Sequence, residues 1–296
     1  LAEEYWRPSY TNLISESGLW DKAMTPVRFV KRTPREEKPV GFLIEALGVQ
    51  AKEVISLVGA GGKTTLMFRL AKELVLSGKS VVTTTTTKIF EPTEKETNFL
   101  FIDPEEEKIK DFVRTHLDQY HHITIAQGRI QSRKLRGISP NLVKELWSLP
   151  GVDTVIVEAD GAAGRTIKAP REGEPVIPSN TTLVIAILGV DGVEMELNEQ
   201  NVFQPEKISK MTGISIGQRI TDEGMAILMT HPEGLFKGTP SSSRVVAFLN
   251  KVDILNGVKI GESISQKIFE KRHRQIERIV LGQLNKESPV AEVIFP

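Results

Sequence analysis

Residues 54–70 read VISLVGAGGKTTLMFRL, and no other stretch limits the fold as sharply. A short Val/Ile/Leu run suits a buried strand. It enters a glycine cluster, meets Lys63 and Thr64, and leaves with Leu66, Phe68, Leu70 and Leu74 marking the packed face of a helix. Glycines let the backbone curl so that successive N–H groups turn toward one anion. The helix start adds the positive end of its dipole. Gly59, Ala60, Gly61, Gly62, Lys63, Thr64 and Thr65 are therefore expected to cradle phosphates. Lys63 would reach the terminal phosphates and the Thr64 hydroxyl would sit on Mg²⁺.

The spacing is not the standard one. GxxxxGK[ST] needs glycine at 57, where Leu57 stands; what is present is GxxGKT, counted from Gly59. Similar short loops occur in Mur-type ligases.

From Gly41 onward, short apolar runs alternate with helical patterns. Strands are expected at 54–58, 80–86, 98–102, 122–126, 153–160, 181–190 and 244–250. Helices are expected at 63–77 and near 104–119, 140–149, 205–212, 221–230 and 263–285. Strands that read as continuous Val/Ile/Leu between helices predict an α/β fold of the P-loop NTPase kind, a mostly parallel sheet with helices on both faces. Residues 41–296 are read as this nucleotide-binding domain. Residues 1–40 hold two of the three Trp and the charged stretch KRTPREEKP, and are read as an extension and linker.

A phosphate loop needs acidic partners. VIVEAD places Glu158 and Asp160 two apart at a strand end, on one face. With Lys63 they are the expected catalytic residues, and with Thr64 the expected Mg²⁺ ligands. TTTTTK at 83–88 ends another strand, and ligands bind at the carboxyl edge of parallel sheets. Thr85, Thr86 and Lys88 are candidates for phosphate or Mg²⁺ contact.

RVVAFLNKVD ends an apolar strand with Asn250, Lys251 and Asp253 in the NKxD arrangement of GTP-binding proteins. A carboxylate at 253 would accept two hydrogen bonds from guanine N1–H and the 2-amino group. Adenine offers no matching donor pair and would leave the carboxylate desolvated and unpaired. GTP is thus expected ahead of ATP.

Composition narrows the classes. Lys plus Arg equal Asp plus Glu, 38 each, so no net field steers the chain toward nucleic acid or an anionic membrane. No apolar run approaches the ~20 residues of a spanning helix. The start, LAEEYWRPSY, lacks the basic and apolar regions of a secretory signal, and a cytoplasmic location is expected. None of the five histidines forms an HExxH pair. There is no cysteine, which excludes thiolate metal sites and thiol-based transfer.

LVGAGGKTTL, VVTTTTTKIF, KLRG at 134–137, VEADGA at 157–162, KAP at 168–170, EPVIP at 174–178, HPEGLFKG at 231–238 and LNKVD together resemble one family, from about Phe42 to at least Leu255. It is the YqeC-type accessory protein of selenium-dependent molybdenum hydroxylases. The resemblance implies a bacterial cytosolic P-loop protein that helps mature such an enzyme, with a molybdenum hydroxylase or a molybdopterin-type ligand as partner. Histidines that the resemblance leads one to expect near Gly173 and Phe203 are absent. Without cysteine the chain cannot hold selenium as a selenosulfide, so a nucleotide-driven helper is expected. Nucleoside triphosphate hydrolysis is the expected activity. Two alternatives stay open: ATP-dependent phosphoryl or adenylyl transfer to a small anionic ligand with Asp160 as base, and a non-hydrolysing switch that recruits a partner through residues 1–40. Arg133, Lys134, Arg136, Arg165, Lys168 and Lys237 are basic candidates for an anionic second ligand, each weighed against plain surface charge.

Overall fold

The computed structural model describes residues 42–97, 99–131, 133–271 and 276–296. The expected extension and linker at 1–40 lies outside them. In chain order, α1 (Leu43–Leu47) leads into β1 (Glu53–Gly59), α2 (Lys63–Leu76), β2 (Val81–Thr85) and β3 (Lys88–Phe90). There follow β4 (Leu100–Ile102), α3 (Glu106–Tyr120), β5 (His122–Ala126), β6 (Gly128–Ile130), β7 (Lys134–Arg136) and α4 (Pro140–Ser148). Next come β8 (Thr154–Glu158), β9 (Ile167–Lys168), β10 (Leu183–Gly189), β11 (Val202–Phe203), α5 (Pro205–Thr212) and α6 (Asp222–Thr230). The last are β12 (Arg244–Asn250), α7 (Gly257–Glu270), β13 (Ile276–Gly282) and β14 (Val290–Ile294).

One large sheet runs in the order β14-β13-β12-β10-β1-β8-β2-β5-β4. Its described pairs are parallel except β13 with β14. Two-residue alternation sends Ile55 and Leu57 of β1 to the face covered by α1 and α2. Val54 and Val58 face the other side, where α3 and α4 pack at one end and α5, α6 and α7 at the other. The central strands β1, β8 and β10 are buried along their whole length. That is why they read as unbroken apolar runs. The architecture is P-loop NTPase-like, as expected.

The seven expected strands correspond to β1, β2, β4, β5, β8, β10 and β12. The long helix expected near 263–285 is corrected. Helix α7 ends at Glu270, and Ile276–Gly282 is a strand on the free edge of β12. IERIVLG is β-branched and apolar enough for either state, and the unpaired parallel edge decides it. The small β3-β7-β6 sheet and the β9–β11 pair were not expected.

Candidate functional site

A cavity of about 680 Å³ lies at the carboxyl ends of the parallel strands. Its floor is the turn between β1 and α2. Gly62 has φ of 140°, in the region that side-chain-bearing residues avoid, and an added Cβ would run into the Asn250 amide. Gly59, at φ of 94°, lies against the Ile187 carbonyl. Glycine is therefore dictated at both positions by conformation and by close approach.

Gly61, Gly62, Lys63, Thr64 and Thr65 line the cavity. Gly59 and Ala60 do not. Their N–H groups donate to Asp160 Oδ2 at 3.0 Å and to the Ile187 carbonyl at 2.9 Å. The expected cradle of N–H groups from 59 onward thus begins two residues later, because β10 and Asp160 already satisfy the first two.

Lys63 is buried at the head of α2. Its Nζ donates to the Gly59 carbonyl at 2.6 Å and lies 3.2 Å from Asp160 Oδ1 and 3.7 Å from Glu158 Oε1. Burial works against its charge, but the two carboxylates outweigh it and hold its pKa above the ordinary lysine value. Thr64 Oγ1 donates to Glu158 Oε2 at 2.7 Å. Burial raises the Glu158 carboxyl above the usual carboxylate range, against the pull of Lys63 and Thr64.

Glu158 lines the cavity and Asp160 does not. Asp160 is buried and tied to the Gly59 N–H, to Lys63, and to Lys168 at 3.0 Å. It stands behind the loop and fixes Lys63 rather than facing a ligand. Thr85 is likewise withdrawn. Its hydroxyl donates to the Glu158 carbonyl at 2.7 Å and so anchors the strand end that carries Glu158. Thr86 and Lys88 line the cavity, and the Thr86 hydroxyl donates to the Val176 carbonyl.

Asn250, Lys251 and Asp253 line the far end. Asn250 Nδ2 donates to the Gly61 carbonyl at 2.7 Å, and its Oδ1 accepts from the Leu284 N–H at 3.2 Å. One amide thereby clips the turn between β1 and α2 to the segment after β13. Lys251 pairs with Asp191 at 2.6 Å and donates to Thr166 Oγ1 at 3.0 Å. Among the described residues the ion pair of Asp253 is with Lys286, at 3.9 Å.

Lys168 is the clearest surprise. Surface charge was the simple reading, yet it is fully buried and bonds Asp160, Glu174 at 3.0 Å and the Gly161 carbonyl at 2.6 Å. Asp191 was missed, although its place after the β10 run offered the same strand-end signal as Glu158. Of the other basic candidates, Lys134 and Arg165 line the cavity, whereas Arg133, Arg136 and Lys237 do not. Phe203 also lines it; Gly173 does not.

The donor set fits Mg²⁺. A hydroxyl and a carboxylate converge, both hard oxygen groups, and Mg²⁺ commonly takes one or two such protein ligands with phosphate oxygens and water completing its shell. Among the described residues no cluster of three or more His, Cys, Asp or Glu could hold a metal without a ligand's help. No described helix is long and apolar enough to cross a membrane.

The family model described as YqeC protein matches residues 55–206. The chain is also similar to a protein of Escherichia coli (strain K12) that carries the name Uncharacterized protein YqeC, at 31% identity over 250 residues. The aligned region covers 84% of this chain and 94% of that relative. The family match contains the glycine loop, Glu158, Asp160 and Lys168, and with an alignment spanning nearly all of the relative it places the chain in the YqeC family.

Proposed function

We propose that this protein binds a nucleoside triphosphate with Mg²⁺, prefers GTP over ATP, hydrolyses it, and acts in the maturation of a selenium-dependent molybdenum hydroxylase. One observation carries the nucleotide reading: the Asn250 amide is bonded to the Gly61 carbonyl, so the base-reading motif and the phosphate loop face one cavity. In this account Lys63 neutralises charge on the terminal phosphates. Thr64 and Glu158 hold the metal, and Glu158 orients the attacking water. Asp160 keeps Lys63 in place. Asp253 reads guanine, and Thr86 and Lys88 meet the phosphate end. The maturation role rests on the family resemblance.

The loop spacing favours a second reading. Leu57 is buried within β1 and the turn starts only at Gly59, the short form shared with Mur-type ligases. That form fits ATP-dependent phosphoryl or adenylyl transfer to a small anionic ligand. A panel of guanine, adenine and xanthine triphosphates, assayed for binding and then for products, separates the two. GTP binding with release of inorganic phosphate supports the first. An ATP preference, with product formed only when an anionic acceptor is added, would falsify it in favour of the second.

A further inference from the structure

We infer that the end of the cavity below β2 is a second ligand subsite, shaped for a planar anionic small molecule: a heteroaromatic ring carrying phosphate or carboxylate. The inference deepens the nucleotide reading and rests on it for the orientation of the triphosphate.

The sheet sets the geometry. β12 lies two strands from β1 on one side, and β2 two strands away on the other. At ~4.8 Å between neighbouring strands, the cavity reaches roughly 10 Å to each side of the phosphate loop. A nucleotide with its base against Asp253 and its phosphates on the loop reaches the other side only at its phosphate end, by Thr86 and Lys88. The other side is walled by β3, β7, β11 and the segment between β8 and β10.

This end is unlike the base end in charge. Lys63, Lys168 and Lys251 are each paired with carboxylates. At this end Lys134 and Arg171 line the cavity, and neither makes an ion pair among the described residues. The nearby Glu174 is committed to Lys168, and Glu158 to Thr64 and Lys63. Two cations without a carboxylate partner, beside the Lys88 of the phosphate end, make a site for an anion.

It is unlike a bare phosphate site in surface. The Arg171 guanidinium lies over the Phe203 ring at 4.4 Å, and Lys134 Nζ over Phe90 at 4.9 Å. Phe90 is 61% exposed, on a strand whose next residue inward, Ile89, is buried. A large exposed ring at the rim of a cationic cavity has no packing role here. A planar ligand would cover it and bring its anionic group to the arginine and lysine heads. An inorganic anion would leave both rings bare.

The test uses flavin mononucleotide as probe and riboflavin, the same ring without the phosphate, as control. Binding is followed by flavin fluorescence on the full chain, alone and preloaded with a non-hydrolysable GTP analogue; analogue binding is measured separately by calorimetry. Saturable flavin mononucleotide binding that persists with the analogue bound is expected, with riboflavin at least ~10-fold weaker. Arg171→Ala should weaken the probe at least ~10-fold and leave analogue affinity within about twofold. Phe90→Ser, at an exposed position that does not threaten folding, should weaken it by a few-fold. No saturable binding, displacement of the probe by the analogue, or equal binding in both variants would overturn the subsite. If the analogue fails to bind while the probe still depends on Arg171 and Phe90, the subsite stands and the nucleotide reading falls.

Discussion

Thr64 Oγ1 lies 2.7 Å from Glu158 Oε2, so the first turn of α2 is hydrogen-bonded to the end of β8, the strand beside β1. The bond holds together the two oxygen donors that the account assigns to Mg²⁺. It also keeps a buried carboxylate from lying unpaired.

With Glu158 proposed as a metal ligand, metal binding should be pH-dependent. Mg²⁺ takes the ionised carboxylate, and burial raises the Glu158 pKa above the ordinary value. Protons therefore compete with the metal at a higher pH than they would at an exposed glutamate. Mg²⁺ affinity of the nucleotide-loaded protein should rise as pH climbs from about 5 to about 7.5. In Glu158→Gln it should be weaker and retain only the slope due to the nucleotide's own phosphate. Parallel magnesium titrations check this, and identical slopes in the two proteins would count against the assignment.

Lys168 should be a stability determinant. It is fully buried among Asp160, Glu174 and the Gly161 carbonyl. Lys168→Met removes the ammonium and leaves buried carboxylates short of a partner, a change that costs roughly 3–5 kcal/mol in comparable sites. Urea unfolding measures it. A loss below about 1 kcal/mol would mean that Lys63 alone suffices to balance Asp160.

His122 gives the fold an acid limit. It is buried on β5, its Nε2 is 2.9 Å from Thr83 Oγ1, and burial lowers its pKa from 6.5 to about 4. The unfolded chain binds this proton more readily than the folded one. The contribution to stability is therefore complete above the unfolded value of 6.5 and is lost as pH falls toward about 4. At pH 5 the loss is about 2 kcal/mol. Denaturant unfolding of wild type and His122→Gln at pH 7 and pH 5 should show a smaller difference in the variant, and an equal difference would contradict the assignment.

The central sheet and the glycine turn were legible because their signals are local. A buried parallel strand shows itself as an apolar run, and Gly61, Gly62, Lys63 and Thr64 are adjacent in sequence. Glu158 was legible for the same reason, at the end of such a run. What sequence did not show depends on contacts far apart along the chain. Whether Asp160 faces the cavity or the loop is decided by Lys168, on β9, and by the Gly59 N–H at the end of neighbouring β1, 101 residues away along the chain. The failure at 263–285 has a related cause: β13 becomes a strand because β12 presents it an edge. Phe90 and Phe203 reach the cavity from two separate small sheets of three- and two-residue strands, too brief to carry a period.

Asp253 provides the test of base choice. Two charge-assisted hydrogen bonds to guanine contribute on the order of 1.5–3 kcal/mol each before context reduces the sum. A GTP preference over ATP of at least ~10-fold, or ~1.4 kcal/mol, is the minimum expected. Asp253→Asn should lose GTP and gain xanthosine triphosphate, since the amide nitrogen can face the 2-oxo group that the carboxylate repels. Competition binding with the three nucleotides reads this directly, and an unchanged order of preference would reduce NKVD to a strand-end turn.

In the proposed function the turn from Gly61 to Thr65 holds a magnesium–triphosphate through Lys63. Isothermal calorimetry of Mg–GTP with wild type and with Lys63→Ala, shown to be folded by circular dichroism, measures this. Loss of one charge-assisted contact to the terminal phosphates should weaken binding at least ~10-fold, and the effect should be much smaller for the monophosphate, which lacks those phosphates. Saturable wild-type binding with that loss in the variant is expected; equal affinity of wild type and folded variant for Mg–GTP would rule out Lys63 as the phosphate contact.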